Sequence, residues 1–167
     1  GDEARALAAI REIVKGAGAF GMVAGQSLDL ASERDGVAAP DREDMLVRIQ
    51  GGKCACMFIH PLRAAVHLAG AGEAALKAMT EYGRAFGMLF QATDDVLDVT
   101  SSADELGKSV GKDEKSGKLT CISVYGLDGT RERIQREYAC ALRALSPFGK
   151  GADFFREMVD RMVSRTK

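Results

Sequence analysis

Apolar residues recur at intervals of three and four along almost the whole chain, and no stretch shows the alternation that a half-buried strand requires. The pattern therefore predicts an all-α protein. A first long helix is expected over residues 2–33, broken by the polar run Glu33-Arg34-Asp35-Gly36. Pro40-Asp41 opens the next, with Asp41 as its cap, and that helix runs to about Ala69. Pro61 lies within it and should kink or interrupt it, because proline removes an amide donor. Residues 70–72, with Gly70 and Gly72, form a tight connection to a helix over residues 73–99. Shorter helices follow over residues 121–126, 128–145 and 152–164, the last two separated by Pro147 and Gly149. No internal linker, repeat or low-complexity segment appears.

The helix over residues 73–99 carries an unusual end. Phe86, Met88, Leu89, Phe90, Val96, Leu97 and Val99 make it largely apolar and hence buried, yet Asp94, Asp95 and Asp98 crowd three carboxylates into five positions. Residues four apart share a helix face, so Asp94 and Asp98 stack while Asp95 lies about 100° round the helix. Gln91 extends the same polar stripe. A half-buried carboxylate cluster is costly unless a cation compensates it, and hard oxygen donors without nearby His or Cys favour Mg²⁺. The alternative is a solvated acidic helix end.

Residues 100–120, TSSADELGKSVGKDEKSGKLT, supply Lys108, Lys112, Lys115 and Lys118 among glycines 107, 111 and 117. Taken alone this is a solvated surface loop. Beside a carboxylate cluster that recruits Mg²⁺, however, its ammonium groups and permissive backbone are complementary to a diphosphate.

Four ordered motifs now carry a family resemblance. Phe90-Gln91-Ala92-Thr93-Asp94-Asp95-Val96-Leu97-Asp98-Val99, followed by Leu106-Gly107-Lys108, Gly111-Lys112-Asp113 and Gly117-Lys118-Leu119-Thr120, resembles the second aspartate-rich region of the trans-isoprenyl diphosphate synthases. Farnesyl and geranylgeranyl diphosphate synthases are the best-known members. Upstream, Gly21-Met22-Val23-Ala24-Gly25-Gln26-Ser27-Leu28-Asp29-Leu30 resembles the family's GxxxGQxxDL helix, and Lys53 between Gly52 and Ala55 resembles its lysine-threonine step. Read without the family, Gly21 and Gly25 mean close helix packing, and Gln26 and Asp29 a local hydrogen-bonded pair.

The resemblance implies the isoprenoid synthase (terpenoid synthase-like) helical bundle, with residues 1–167 as the C-terminal part of a single polyprenyl synthase domain. It implies Mg²⁺-dependent prenyl transfer, in which an allylic diphosphate condenses with isopentenyl diphosphate to a longer trans-prenyl diphosphate. Asp94, Asp95 and Asp98 would hold the metal. Lys53 and Gln91 would act in catalysis, and Lys53, Cys54, Phe90, Gln91, Lys108, Lys118, Gln26 and Asp29 would bind substrate. An apolar cavity lined by Phe86, Met88 and Phe90 would shelter the carbocation from water. The family also implies a homodimer. Two positions depart from its pattern: Cys54 replaces the usual threonine hydroxyl with a weaker thiol donor, and Ser109 stands where proline or arginine is common.

The DDxxD of residues 94–98 is the only one in the chain, so a first aspartate-rich motif is expected in an N-terminal half outside it, and the isolated chain is expected not to turn over substrate. The start at Gly1-Asp2 without methionine agrees with a cut chain. Two other roles fit the same motifs, a non-catalytic regulatory subunit of a heteromeric prenyl synthase and a class I terpene cyclase.

Composition narrows the setting. Apolar residues make up 46% of 167, charged residues 28% and aromatics 6%, with no Trp, which suits an Ala- and Leu-rich helical domain. A net charge of −1 offers no electrostatic case for nucleic acid or an anionic membrane. No window of 18 uncharged apolar residues and no basic-then-apolar leader appears, so no membrane anchor is expected and the cytoplasm is the default compartment. Cys54 and Cys56 lack the usual zinc-knuckle spacing, and the cysteines read as reduced, small buried residues. His60 and His67 are expected to pack or face solvent rather than bind metal.

Overall fold

The computed structural model describes residues 2–106 and 118–165, and among them every regular element is helical. In chain order these are α1 (Asp2–Ala17), α2 (Met22–Asp35), a 3₁₀ turn (Ala39–Asp41), α3 (Arg42–Gln50), a π-helical turn (Gly51–Ala55), α4 (Cys56–Ala69), α5 (Glu73–Leu106), α6 (Cys121–Ala144), a second 3₁₀ turn (Ser146–Ala152) and α7 (Asp153–Ser164). α5 is the centre of the bundle, packing against α4 on one side and α6 and α7 on the other, while α1 lies on α4 and α2 on the π turn.

The core explains this order. α5 places Tyr82, Ala85, Phe86, Leu89, Ala92 and Val96 inward at helical spacing, against Ile134 and Leu145 from α6 and its end, and Val159 from α7. Close approach to α4 is set by glycine. A Cβ on Gly83 would come within 2.8 Å of the Ile59 Cα, and one on Gly87 would run into Ala55 at the end of the π turn that leads into α4. α1 is tied to α4 by charge instead. Glu12, 12% exposed, accepts hydrogen bonds from Arg63 at 2.8 and 2.9 Å and pairs with His60 Nδ1 at 2.8 Å. His60 is thus a packed residue, as its sequence position suggested.

Four boundaries differ from the sequence reading. The expected helix over residues 2–33 is two, because the chain turns at residues 18–21, where Gly21 sits directly on the Gly16 carbonyl in a space no Cβ would fit. Asp41 does occupy the N-cap position of α3 but makes no capping hydrogen bond, since it closes the 3₁₀ turn with helical backbone angles. Pro61 lies inside α4 without interrupting it. The departure from α geometry falls upstream, in the π turn, where Gly51 and Gly52 have little intrinsic hold on the helix. α5 continues past residue 99 to Leu106, with Thr100 folding its hydroxyl back onto the Val96 carbonyl at 2.9 Å. The break expected near residue 126 is present as a kink in α6, at Gly126 with φ of 70°, a left-handed angle that favours glycine.

Candidate functional site

A polar cleft opens where α2, the end of α3, the π turn, α5 and the start of α6 meet. Asp29, Gln50, Lys53, Cys54, Gln91 and Asp95 line it, together with Lys118, Leu119 and Thr120 on the approach to α6. Each comes from a local feature. Gly25, one turn before Asp29, has no side chain, so the α2 backbone rests on Gly52 and Lys53 of the π turn. That contact brings the buried Asp29 carboxylate within 2.6 Å of the Lys53 ammonium. Asp29 is 4% exposed, and the ion pair compensates its charge.

On the α5 side, a directional chain of hydrogen bonds crosses the cleft. The Cys54 thiol donates to Gln91 Oε1 at 3.0 Å, and Gln91 Nε2 donates to Asp95 Oδ1 at 2.9 Å. The other Asp95 oxygen accepts from the backbone N–H of Cys121, the first residue of α6, at 2.7 Å. Burial raises the Cys54 thiol above its ordinary value, against the pull of Lys53, and pushes Cys121 up to about 12. Both thiols therefore stay protonated at neutral pH, and Cys54 keeps the proton it donates. Burial also raises the Asp95 carboxyl, opposed by the Cys121 N–H, Gln91 and Lys118. At the start of α6, Thr120 and Ser123 form a reciprocal capping box that fixes this edge.

The three aspartates do not face one point. Asp95 points into the cleft, Asp94 is half-buried with Oδ1 3.4 Å from Arg165 Nη1, and Asp98 is exposed. This is the angular spread that helical spacing imposes. Among the described residues, no group of three or more His, Cys, Asp or Glu side chains is gathered to hold a metal ion. The chemistry of the acidic end nonetheless fits a divalent cation. Burial raises the Asp94 carboxyl, Arg165 offsets part of that, and Asp98 and Asp95 raise it further; a cation beside these hard oxygen donors would relieve the repulsion between them.

Of the residues that the sequence singled out, Lys53, Cys54, Gln91, Asp95, Asp29 and Lys118 come together in the cleft. Gln26 is half-buried on α2 and does not line it. Phe90 turns to Phe58, ring centres 5.6 Å apart, while Phe86 and Met88 are 3% and 4% exposed within the core. None of the three lines the polar cleft. Lys108, Ser109, Lys112 and Lys115 lie outside the described residues. The sequence reading missed Gln50, whose only signal was a polar residue three positions before Lys53 in a buried stretch, and it took Cys121 for a packing residue.

A model of the polyprenyl synthetase family matches residues 4–144. The chain is 38% identical over 146 residues to geranylgeranyl pyrophosphate synthase 9, chloroplastic, of Arabidopsis thaliana, covering 84% of this chain and 40% of that protein. It is 37% identical over 164 residues to the chloroplastic geranylfarnesyl diphosphate synthase of Leucosceptrum canum, covering 96% and 44%. Among solved structures, an FPP/GFPP synthase from Zymomonas mobilis superposes with a TM-score of 0.78 at 28% identity, covering 96% of this chain and 52% of that one. The chain thus spans less than half the length of these curated relatives.

Proposed function

This chain belongs to the polyprenyl synthetase family, and from that premise we propose that it forms the diphosphate-holding wall of a trans-prenyltransferase that condenses an allylic diphosphate with isopentenyl diphosphate. The observation that carries the proposal is the gathering of Lys53, Lys118, Gln91 and Asp95 in one cleft from elements far apart in sequence. Lys53, steadied by Asp29, binds the allylic diphosphate as a compact charge. Lys118 adds a second. Gln91 is fixed by Cys54 and Asp95, so its amide is oriented before substrate arrives. Asp94 and Asp98, with Asp95 behind them, would hold Mg²⁺, the remaining ligands being water and phosphate oxygens. The metal would neutralise the leaving diphosphate and so favour heterolysis of the allylic C–O bond.

The remainder of the active site, including a first aspartate-rich motif and the apolar prenyl pocket, is assigned to a part of the fold beyond these residues. A homodimer is proposed as well, supported by Leu7, Ile10 and Val14, an apolar stripe left exposed along α1. Among the described residues no helix is long and apolar enough to cross a membrane. The cytoplasm is the proposed compartment on four free thiols; because the plant relatives carry chloroplastic names, cell fractionation is the test.

One observation favours a second reading, a non-catalytic partner subunit: both Asp95 oxygens are engaged within the chain and Asp94 faces Arg165. A single experiment separates the two. In the full-length protein, condensation of geranyl diphosphate with isopentenyl diphosphate is measured across MgCl₂ concentrations for the wild type and Asp94→Ala. The enzyme reading expects turnover that rises with Mg²⁺ and falls at least ~100-fold in the variant, in the range of one lost charge-stabilising group. Unchanged turnover in Asp94→Ala would sink the metal assignment, and a wild type without turnover would favour the partner subunit.

A further inference from the structure

The polar network of the cleft runs on from the lining residue Gln50 past the residues given a role in the proposed prenyl transfer. Gln50, 2% exposed at the end of α3, has its amide gripped at both ends. Nε2 donates to Cys121 Sγ at 3.1 Å, and Oε1 accepts from Arg133 Nη2 at 3.4 Å. Arg133 is itself held. Its Nη1 donates to the Tyr125 hydroxyl at 2.6 Å, its guanidinium carbon lies 5.1 Å from the centre of that ring, and the Tyr125 hydroxyl donates to Glu43 at 3.1 Å. A guanidinium has donors only, so Arg133 decides which end of the Gln50 amide it takes, and the NH₂ end is left for Cys121. Cys121 in turn supplies the backbone N–H that holds Asp95 Oδ2.

We infer that Gln50 and Arg133 are positioning residues for Asp95, a guanidinium–amide relay that fixes the first residue of α6 and through it one oxygen of the carboxylate in the cleft. The relay joins three elements, α3, α5 and α6, through side chains that are 83 residues apart in the case of Gln50 and Arg133. Asp95 is thereby clamped from two independent sides, by Gln91 within its own helix and by Cys121 from the facing one. A single hydrogen bond would leave the carboxylate free to rotate; two on opposite oxygens do not. The inference deepens the diphosphate reading of the cleft and rests on it for function, but its structural half can be measured without any ligand.

The test uses the full-length protein with Gln50→Leu, Arg133→Met and the double variant. Hydrogen exchange of the Cys121 backbone amide reads the relay directly, calorimetry with inorganic pyrophosphate and MgCl₂ reads the cleft, and thermal melting reads the fold. Each single variant is expected to speed Cys121 exchange about tenfold and to weaken pyrophosphate binding about tenfold, the scale of one hydrogen bond to a charged group. The double variant should be no worse than the worse single, because both changes cut the same chain. Unchanged Cys121 exchange with a lowered melting temperature, or fully additive losses, would overturn the relay. Wild type that fails to bind pyrophosphate would overturn the diphosphate reading, while the exchange result would still decide the relay. If Arg133→Met does not fold, Arg133→Lys, which keeps the charge and loses the forked grip, is read by the same criteria.

Discussion

At the scale of single residues, the cleft works through the direction of its hydrogen bonds. The Cys54 thiol donates, so Gln91 must turn its NH₂ group to Asp95, and an amide that could otherwise flip is held in one orientation. Cys54→Ala should free that amide and lower kcat about tenfold in the condensation assay, with little change in melting temperature. Cys54→Thr should retain or raise kcat, since a hydroxyl is the stronger donor. Equal kcat in wild type and Cys54→Ala would show that the thiol orients nothing. The sequence had identified Cys54, Gln91 and Asp95 individually. Which atom of each faces which partner was set by the relative rotation of α5 and the π turn, and no sequence spacing encodes that.

At the scale of elements, small residues and one buried carboxylate decide how helices dock. Gly25 lets α2 lie on the π turn and delivers Asp29 to Lys53. Gly25→Ala would drive a methyl group into the backbone of Gly52 and Lys53, costing about 1–3 kcal/mol by overpacking and weakening pyrophosphate binding in parallel. A melt together with calorimetry checks both effects. α1 depends on Glu12. The Arg63 hydrogen bond, helped by His60 and opposed by burial, lowers its carboxyl from an ordinary 4.5 to about 2. A depressed folded-state value means that this contribution is complete above pH 4.5 and is lost as pH falls towards 2, an amount of about 3 kcal/mol. Acid titration of wild type against Glu12→Gln should show that slope in the former and its loss in the latter. Parallel titration curves would rule out Glu12 as the source.

For the whole molecule, the long central helix α5 serves as both core and site, its apolar face packed on α4, α6 and α7 and its Gln91 and Asp95 on the cleft. The stripe of Leu7, Ile10 and Val14 on α1 faces away from that core. If a second copy covers it, Ile10→Lys should raise the dimer dissociation constant at least ~100-fold, as expected from placing an unpaired charge in an apolar interface. Analytical ultracentrifugation measures this, and an unchanged sedimentation profile would remove α1 from the interface. The sequence by itself determined the all-helical class, the family motifs and the residue types of the cleft, because helical periodicity and the spacing within one helix are local properties of the chain. It also fixed the angular spread of Asp94, Asp95 and Asp98, which follows from 100° per residue. Only the tertiary structure decided that Phe86 and Met88 are buried while Phe90 meets Phe58, that Asp94 meets Arg165, and that Gln50 and Arg133 join Cys121 next to Asp95. Those outcomes depend on how helices far apart in sequence rotate and settle against one another, and that is a balance of packing over the whole bundle.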